Sequence, residues 1–433
     1  MRIFKTMTLA GASIACLMAA GANAAPKPAV QASLAAPAGM KVERVVILMR
    51  HGIRPPTKAA VTPPGLAKEA WPSWDTPWGH LTAHGYQAIV KLGAYDRQVW
   101  AREGVIAATA CPAKGEVVVW SDTDERTIRT GDAMVEGAFA GCNVTNDHLA
   151  EGVVDVLFSP LDDPKSIDTA AARDAVLAEV GPLDAVMKSH RPAFEIMQRV
   201  LDCCAPAPCT DAGLKAGCAI ADMPVEISVA GGEGRPKATG PLDWAPSVAQ
   251  ALMLEYVEGK PMSEVGWGRA SRADIEVMME IHTLKGDILQ RPAYISRRGA
   301  SPLVGRMLGA LEGAAGNGSK LTVIVGHDTN IVDVSGMLDF DWKVDSYPAN
   351  NPPPGGGVGF ELLSDAAGKH YVRAFYRAQT MDQMRALSPL SLADPAYRQP
   401  LKIPGCSMPG DDTICTLADF SKLVRGKLIT PGS

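Results

Sequence analysis

Three short stretches of the chain are apolar almost without interruption and then stop at polar, charge-rich segments. They are Val45-Val46-Ile47-Leu48-Met49 before Arg50, Val117-Val118-Val119-Trp120 before Ser121-Asp122-Thr123-Asp124-Glu125, and Leu321-Thr322-Val323-Ile324-Val325 before Gly326-His327-Asp328. A strand with one wet face alternates apolar and polar residues. A strand that is apolar at nearly every position has to be covered on both faces, as in a sheet sandwiched by helices. Between the first two runs, Thr82 can cap a helix whose Tyr86, Ile89, Val90 and Gly93 share a face. After the second, Asp122 reads as an N-cap with Glu125 reaching back in a capping box. From about 165 to 295 the pattern is mostly helical, notably 248–258 and 275–289, and is interrupted by cysteine and glycine loops. The expected fold is α/β: a mixed-sheet α/β core domain, 41–165 and 296–433, with an inserted, mostly helical second domain, 166–295.

Composition narrows the function classes. The chain has 433 residues, 47% of them hydrophobic, with 42 Lys+Arg against 47 Asp+Glu and a net charge of −5. That is too apolar for a disordered chain and lacks the dense basic surface that nucleic-acid binding needs. Arg2 and Lys5 precede an apolar or small stretch over residues 7–22, followed by Ala22-Asn23-Ala24. This is the pattern of an export signal, expected to span 1–24, with an Ala/Pro-rich linker over 25–40. Cys16 raises a lipoprotein alternative, against which Ser13 speaks. No later apolar run is long enough for a membrane span, so no membrane association is expected after signal cleavage, and the expected location is periplasmic or secreted. Of nine cysteines, removal of Cys16 leaves an even set, which in an exported chain reads as disulfides. Cys209 with Cys218 and Cys406 with Cys415 would close short loops, and Cys111 with Cys142 a longer one. The partners of Cys203 and Cys204 stay open.

The ends of the three runs carry the chemistry. They read Arg50-His51-Gly52-Ile53-Arg54-Pro55, then Asp124-Glu125-Arg126-Thr127, then Gly326-His327-Asp328-Thr329-Asn330. In open α/β sheets, ligands bind beyond the carboxyl ends of the strands. If the three strands are parallel neighbours, Arg50, Arg54 and Arg126 converge with His51, His327 and Asp328. Three guanidinium groups in one cleft repel one another unless an anion sits among them, and their planar forks match phosphate oxygens. Beside such a phosphate, a neutral imidazole nitrogen can attack phosphorus. Asp328 can protonate the leaving oxygen and later activate water. Gly52 is expected to let the backbone approach the anion. No metal or cofactor is called for. Each tripeptide alone would be an ordinary turn or salt bridge; the repetition at three strand ends is what argues for a site. The remaining histidines, His282 among them, read as structural or exposed.

The run from Arg50 through Pro56-Thr57-Lys58, together with His327-Asp328-Thr329-Asn330, resembles the two signatures of the histidine acid phosphatases, in the branch of the bacterial periplasmic phytases and glucose-1-phosphatases. Further resembling pieces are Ala70-Trp71-Pro72-Ser73-Trp74, Leu81-Thr82, Gly266-Trp267-Gly268 and Pro353-Pro354-Gly355-Gly356. The resemblance runs from about 45 to 415. It implies His51 as nucleophile, Asp328 as proton donor, and Arg50, Arg54, Arg126 and His327 as phosphate ligands. It implies an α/β domain and a helical domain with the cleft between them. Thr57, Lys58 and Glu255 are the substrate-binding residues it suggests, Lys58 because it can meet a second phosphate. Where those relatives carry a basic residue ahead of the segment resembling Ser301-Pro302-Leu303, this chain has Gly299, with Arg297 and Arg298 displaced.

The expected activity is hydrolysis of phosphomonoesters through a phosphohistidine, with phytate (myo-inositol hexakisphosphate) as the leading substrate and a monomer as the working unit. The alternatives are a broad-specificity acid phosphatase or glucose-1-phosphatase. A mutase shares the Arg-His-Gly start, but export and Arg54-Pro55 speak against it. A periplasmic phosphate-binding protein would need the arginines but neither His51 nor Asp328.

Overall fold

The structure, a computed structural model, describes residues 35–203, 219–229, 234–313 and 318–429. The export signal, most of the 25–40 segment and the Cys209–Cys218 pairing lie outside these residues. The strands are β1 (Met40–Arg50), β2 (Val117–Ser121), β3 (Asn146–Asp147), β4 (Ile227–Ser228), β5 (Lys237–Ala238), β6 (Leu321–Gly326), β7 (Gly357–Asp365), β8 (His370–Ala378), β9 (Tyr397–Leu401) and β10 (Ile414–Thr416). The described α-helices are α1 (Ala83–Arg102), α2 (Glu125–Phe139), α3 (Thr169–Val180), α4 (Leu183–Ser189), α5 (Arg191–Leu201), α6 (Pro241–Val257), α7 (Arg272–Leu289), α8 (Ala293–Glu312), α9 (Asp328–Leu338), α10 (Met381–Arg385) and α11 (Leu417–Lys427).

The main sheet has the order β10-β8-β7-β1-β6-β2-β3, and β9 takes the other half of β8's outer edge. The three apolar runs are β1, β2 and β6, and they are parallel neighbours: Val45 pairs with Leu321 and Val117 also faces Leu321. From β7 outward the sheet turns antiparallel. It is therefore mixed, as expected. Both faces of β1 are covered. Val45, Ile47 and Met49 pack with Ile89, Leu92 and Met134 of α1 and α2. Val46 and Leu48 join the larger core with Val304, Met307, Ile331 and Val334 of α8 and α9. Each such fully buried aliphatic side chain contributes about 1.5–3 kcal/mol from apolar burial, which is why these runs are apolar at nearly every position, buried Thr322 being the exception.

All strands of the main sheet come from 40–147 and 321–416. The stretch 169–289 supplies α3 to α7 and the small β4–β5 ribbon. Thr82 caps α1 through the bond from Gly85 N to its Oγ1, 2.8 Å. The expected capping box at the start of α2 is not formed. Asp124, not Asp122, is the N-cap residue and makes no side-chain cap bond. Glu125 instead accepts from Leu81 N, 2.8 Å. The linker read over 25–40 ends earlier than expected: Met40 is already in β1, and Ala35 O accepts from Arg373. Cys111–Cys142 and Cys406–Cys415 are both formed, with Cα separations of 5.3 and 5.4 Å. Cys203 is also disulfide-bonded.

Candidate active site

Because β1, β6 and β2 end nearly flush, Arg50 opposite Gly326 and Ser121 opposite Val325, the residues that follow them gather at one edge of the sheet. His51 is held there from several sides. Its N–H donates to Gly326 O, 2.9 Å. The next residue, Gly52, donates to Thr130 Oγ1 of α2, 2.9 Å. The imidazole Nδ1 lies 2.8 Å from Gly52 O. A carbonyl only accepts, so Nδ1 carries the proton and Nε2 keeps a free lone pair. Burial, with Arg126, Arg54, Arg50 and His327 adding to it, holds this histidine well below its ordinary value. Gly52 serves packing rather than an anion. Its φ is not in the left-handed region, and a Cβ there would meet Leu81 and Ile89 at 2.9 and 3.0 Å. On the facing side, a Cβ at Gly85 would come within 2.5 Å of Ile53 O. The start of α1 thus presses directly on the loop that presents His51.

Three guanidinium groups surround His51. Arg50 is fully buried; its NH1 donates to Pro352 O at 2.7 Å and its NH2 lies 3.0 Å from Asp328 Oδ2. Arg54 donates to Pro55 O and to Gln250 Oε1, 2.9 and 3.0 Å. Arg126 donates to Asp124 Oδ2, 2.5 Å. Several donors remain without a hydrogen-bond partner among the described residues: Arg50 Nε and NH2, Arg54 Nε and Arg126 Nε, all buried. The Arg50–Asp328 contact is close in distance but not aligned as a hydrogen bond. Burial and then Arg50 and Arg126 push the Arg54 guanidinium down to about 9, the mark of cations crowded together. Buried N–H groups left unfilled are costly and rare, so this cluster can accept an anion.

His327 and Asp328 start α9, where the partial positive charge of the helix N-terminus favours an anion. His327 Nε2 lies 2.7 Å from Asp122 Oδ2 and 3.3 Å from Asp124 Oδ2, and its Nδ1 is 3.5 Å from Arg126 NH2. The rings of His51 and His327 meet edge to face, centroids 5.5 Å apart. Burial alone would raise the Asp328 carboxyl, but Arg50 and His282 outweigh it and hold it well below the usual range.

The structure thus brings together Arg50, His51, Arg54, Arg126, His327 and Asp328. Thr57 lines the adjoining cavity, with exposed Lys58 next to it in sequence. Glu255 does not join the cluster. It is buried, not on a solvated helix edge, and accepts from Gly266 N at 3.1 Å. The α6 side chain that reaches the site is Gln250, whose Nε2 lies 3.1 Å from Asp328 Oδ2 and 2.7 Å from His282 Nε2. Five positions along a helix turn through about 500°, which leaves 250 and 255 about 140° apart, so both cannot face one cleft. His282, read as structural or exposed, is 3.6 Å from Asp328 Oδ2. The sequence signal for Gln250 was a polar residue inside the apolar run 248–254. Nothing local marked His282.

The chain matches the histidine phosphatase superfamily (branch 2) over residues 41–175 and 280–377. It belongs to that family. It is 33% identical to the phytase AppA of Escherichia coli, over 89% of this chain and 92% of that protein. It is 28% identical to a glucose-1-phosphatase of Salmonella typhimurium, over 92% and 95%. The solved structure of a Hafnia alvei phytase in complex with myo-inositol hexakis sulphate superposes with a TM-score of 0.82 at 30% identity, covering 92% of this chain and 99% of that one. This phosphatase is accordingly a phosphoric monoester hydrolase.

Proposed function

We propose that the protein is a phytase, acting outside the cytoplasm at acidic pH through a phosphohistidine on His51. The observation that carries this reading is the ring of unfilled guanidinium N–H groups around a buried imidazole whose Nε2 is unprotonated. In the proposed cycle, Arg50, Arg54, Arg126 and His327 hold the phosphate oxygens, and Nε2 attacks phosphorus in line with the ester oxygen. The P–O bond breaks as the N–P bond forms, and Asp328 delivers its proton to the departing alcohol. Asp328 then takes a proton from water, which attacks the phosphohistidine and releases inorganic phosphate. Arg50 and His282 keep Asp328 ionised. A bound dianionic phosphate competes for Arg50 and places negative charge beside the carboxylate, and both effects raise its affinity for the proton it has to donate.

Phytate as the substrate is supported by similarity to phytases and by Lys58 and Thr57 beside the phosphate corner. The glucose-1-phosphatase relative supports a second reading, a sugar-phosphate phosphatase. Turnover of phytate, glucose 1-phosphate and an aryl phosphate by the purified protein separates them. The expected result is the highest kcat/KM on phytate; a wide preference for glucose 1-phosphate would replace the phytase reading with the second.

A further inference from the structure

The site described above accounts for one phosphate. A cavity of ≈250 Å³ shares Arg54 and Asp328 with it and is also lined by Thr57, Ser247, Lys285 and Asp287. Lys285 is three residues after His282 on α7. Residues at i and i+3 share a helix face, so the register that aims His282 at Asp328 also sets Lys285 on the same wall. Its ammonium is partly buried. Burial lowers its hold on the proton, Asp243 and Asp328 favour the charged form, and Lys58 opposes it. Lys58 directly follows the cavity-lining Thr57 in sequence, so a second ammonium is carried beside this cavity. The bond from Lys285 Nζ to Asp243 O is long, 3.4 Å, and uses one of three N–H donors.

Asp243 and Asp328 help keep Lys285 charged, but among the described residues its only hydrogen bond is the long one to Asp243 O, so its remaining N–H donors can serve an anion in the cavity. Asp287, which also lines the cavity, adds little opposing charge at acid pH, because burial raises it to about 6. An ammonium is a compact charge on a flexible stem, suited to a phosphate whose orientation is set elsewhere on the substrate.

We propose that Lys285, together with Lys58, forms a second phosphate-binding subsite that selects substrates carrying a further phosphate beside the one being cleaved. The inference rests on the phosphatase reading of the His51 corner and deepens it by naming a specificity residue. It is tested with Lys285→Gln and Lys285→Arg, on two substrate pairs: phytate against an aryl phosphate, and fructose 1,6-bisphosphate against fructose 6-phosphate. Lys285→Gln is expected to lower kcat/KM about tenfold on the polyphosphorylated member of each pair, mainly through KM, and to leave the monophosphates within about twofold. Lys285→Arg is expected to restore most of the loss. Inhibition by myo-inositol hexakis sulphate is expected to weaken by the same factor. An equal change on both members of the pairs, or no change on either, overturns the subsite. If the unaltered protein leaves phytate untouched, the phytase reading fails, yet the fructose pair still decides the role of Lys285.

Discussion

Two groups of buried arginines sit in this fold and behave differently. On the antiparallel side of the sheet, Arg373 and Arg398 both bind Glu361. Arg398 also meets Glu103 at 2.6 Å, and Arg377 pairs with Asp96 at 2.6 Å. Three cations there face three carboxylates. At the ends of β1, β2 and β6, Arg54 has no carboxylate bond at all among the described residues, and Arg50 and Arg126 each keep unfilled donors. Carboxylates stand near both groups, but at the strand ends four buried guanidinium nitrogens lack a hydrogen-bond partner among the described residues, against one, Arg377 NH2, in the other group. A buried arginine whose donors are mostly used joins elements of a fold, whereas a cluster with several unfilled donors can accept an anion.

That contrast can be broken experimentally. Glu361→Gln removes the carboxylate between two buried guanidinium groups and is expected to cost about 3–5 kcal/mol of stability. It should leave kcat/KM on an aryl phosphate unchanged at temperatures where the variant stays folded; chemical denaturation with parallel kinetics reads both. Arg126→Ala is expected to do the reverse, lowering kcat/KM by about 10²–10³ while stability moves by less than about 1 kcal/mol, because relief of like-charge repulsion offsets lost contacts. If Arg126→Ala unfolded the protein and Glu361→Gln silenced it, the distinction between the two clusters would be wrong.

A smaller effect tests a third buried charge. Glu255 titrates at about 7 in the fold against 4.5 for an ordinary glutamate, because burial outweighs its bond from Gly266. Below pH 4.5 both folded and unfolded forms are protonated and no penalty exists. As pH rises towards 7 only the unfolded chain ionises, so this residue lowers stability across that window and no further above it. Glu255→Gln is expected to flatten the fall in stability between pH 4.5 and 7 by on the order of 2 kcal/mol, read as the difference between denaturation curves at the two pH values. An unchanged slope would show that Glu255 is ionised in the folded protein.

The sequence made the central sheet legible because burial on both faces favours nearly uninterrupted apolar runs, and a run that stops at charge marks a strand end. The same three ends placed Arg50, His51, Arg54, Arg126, His327 and Asp328, since parallel neighbours bring their carboxyl ends together whatever the intervening chain does. Gln250, His282 and Lys285 were not legible in the same way. They reach the site from α6 and α7, and helix rotation relative to a cleft depends on tertiary packing. Glu255 was the attractive choice because a carboxylate on an apolar stripe is conspicuous, yet its partner is the backbone of Gly266. At Asp122 the helix signature failed because the carboxylate is engaged by Thr123 N and His327, 2.8 and 2.7 Å.

The central claim is that the arginines with unfilled donors hold a phosphate against the free Nε2 of His51. Rapid acid-free quenching of the enzyme during turnover of a ³²P-labelled aryl phosphate, followed by peptide mapping, tests it most directly. The expected result is label on the peptide bearing His51, stable in alkali and lost in acid, and absent from His51→Ala. Label on another residue, or full turnover by His51→Ala, would contradict it.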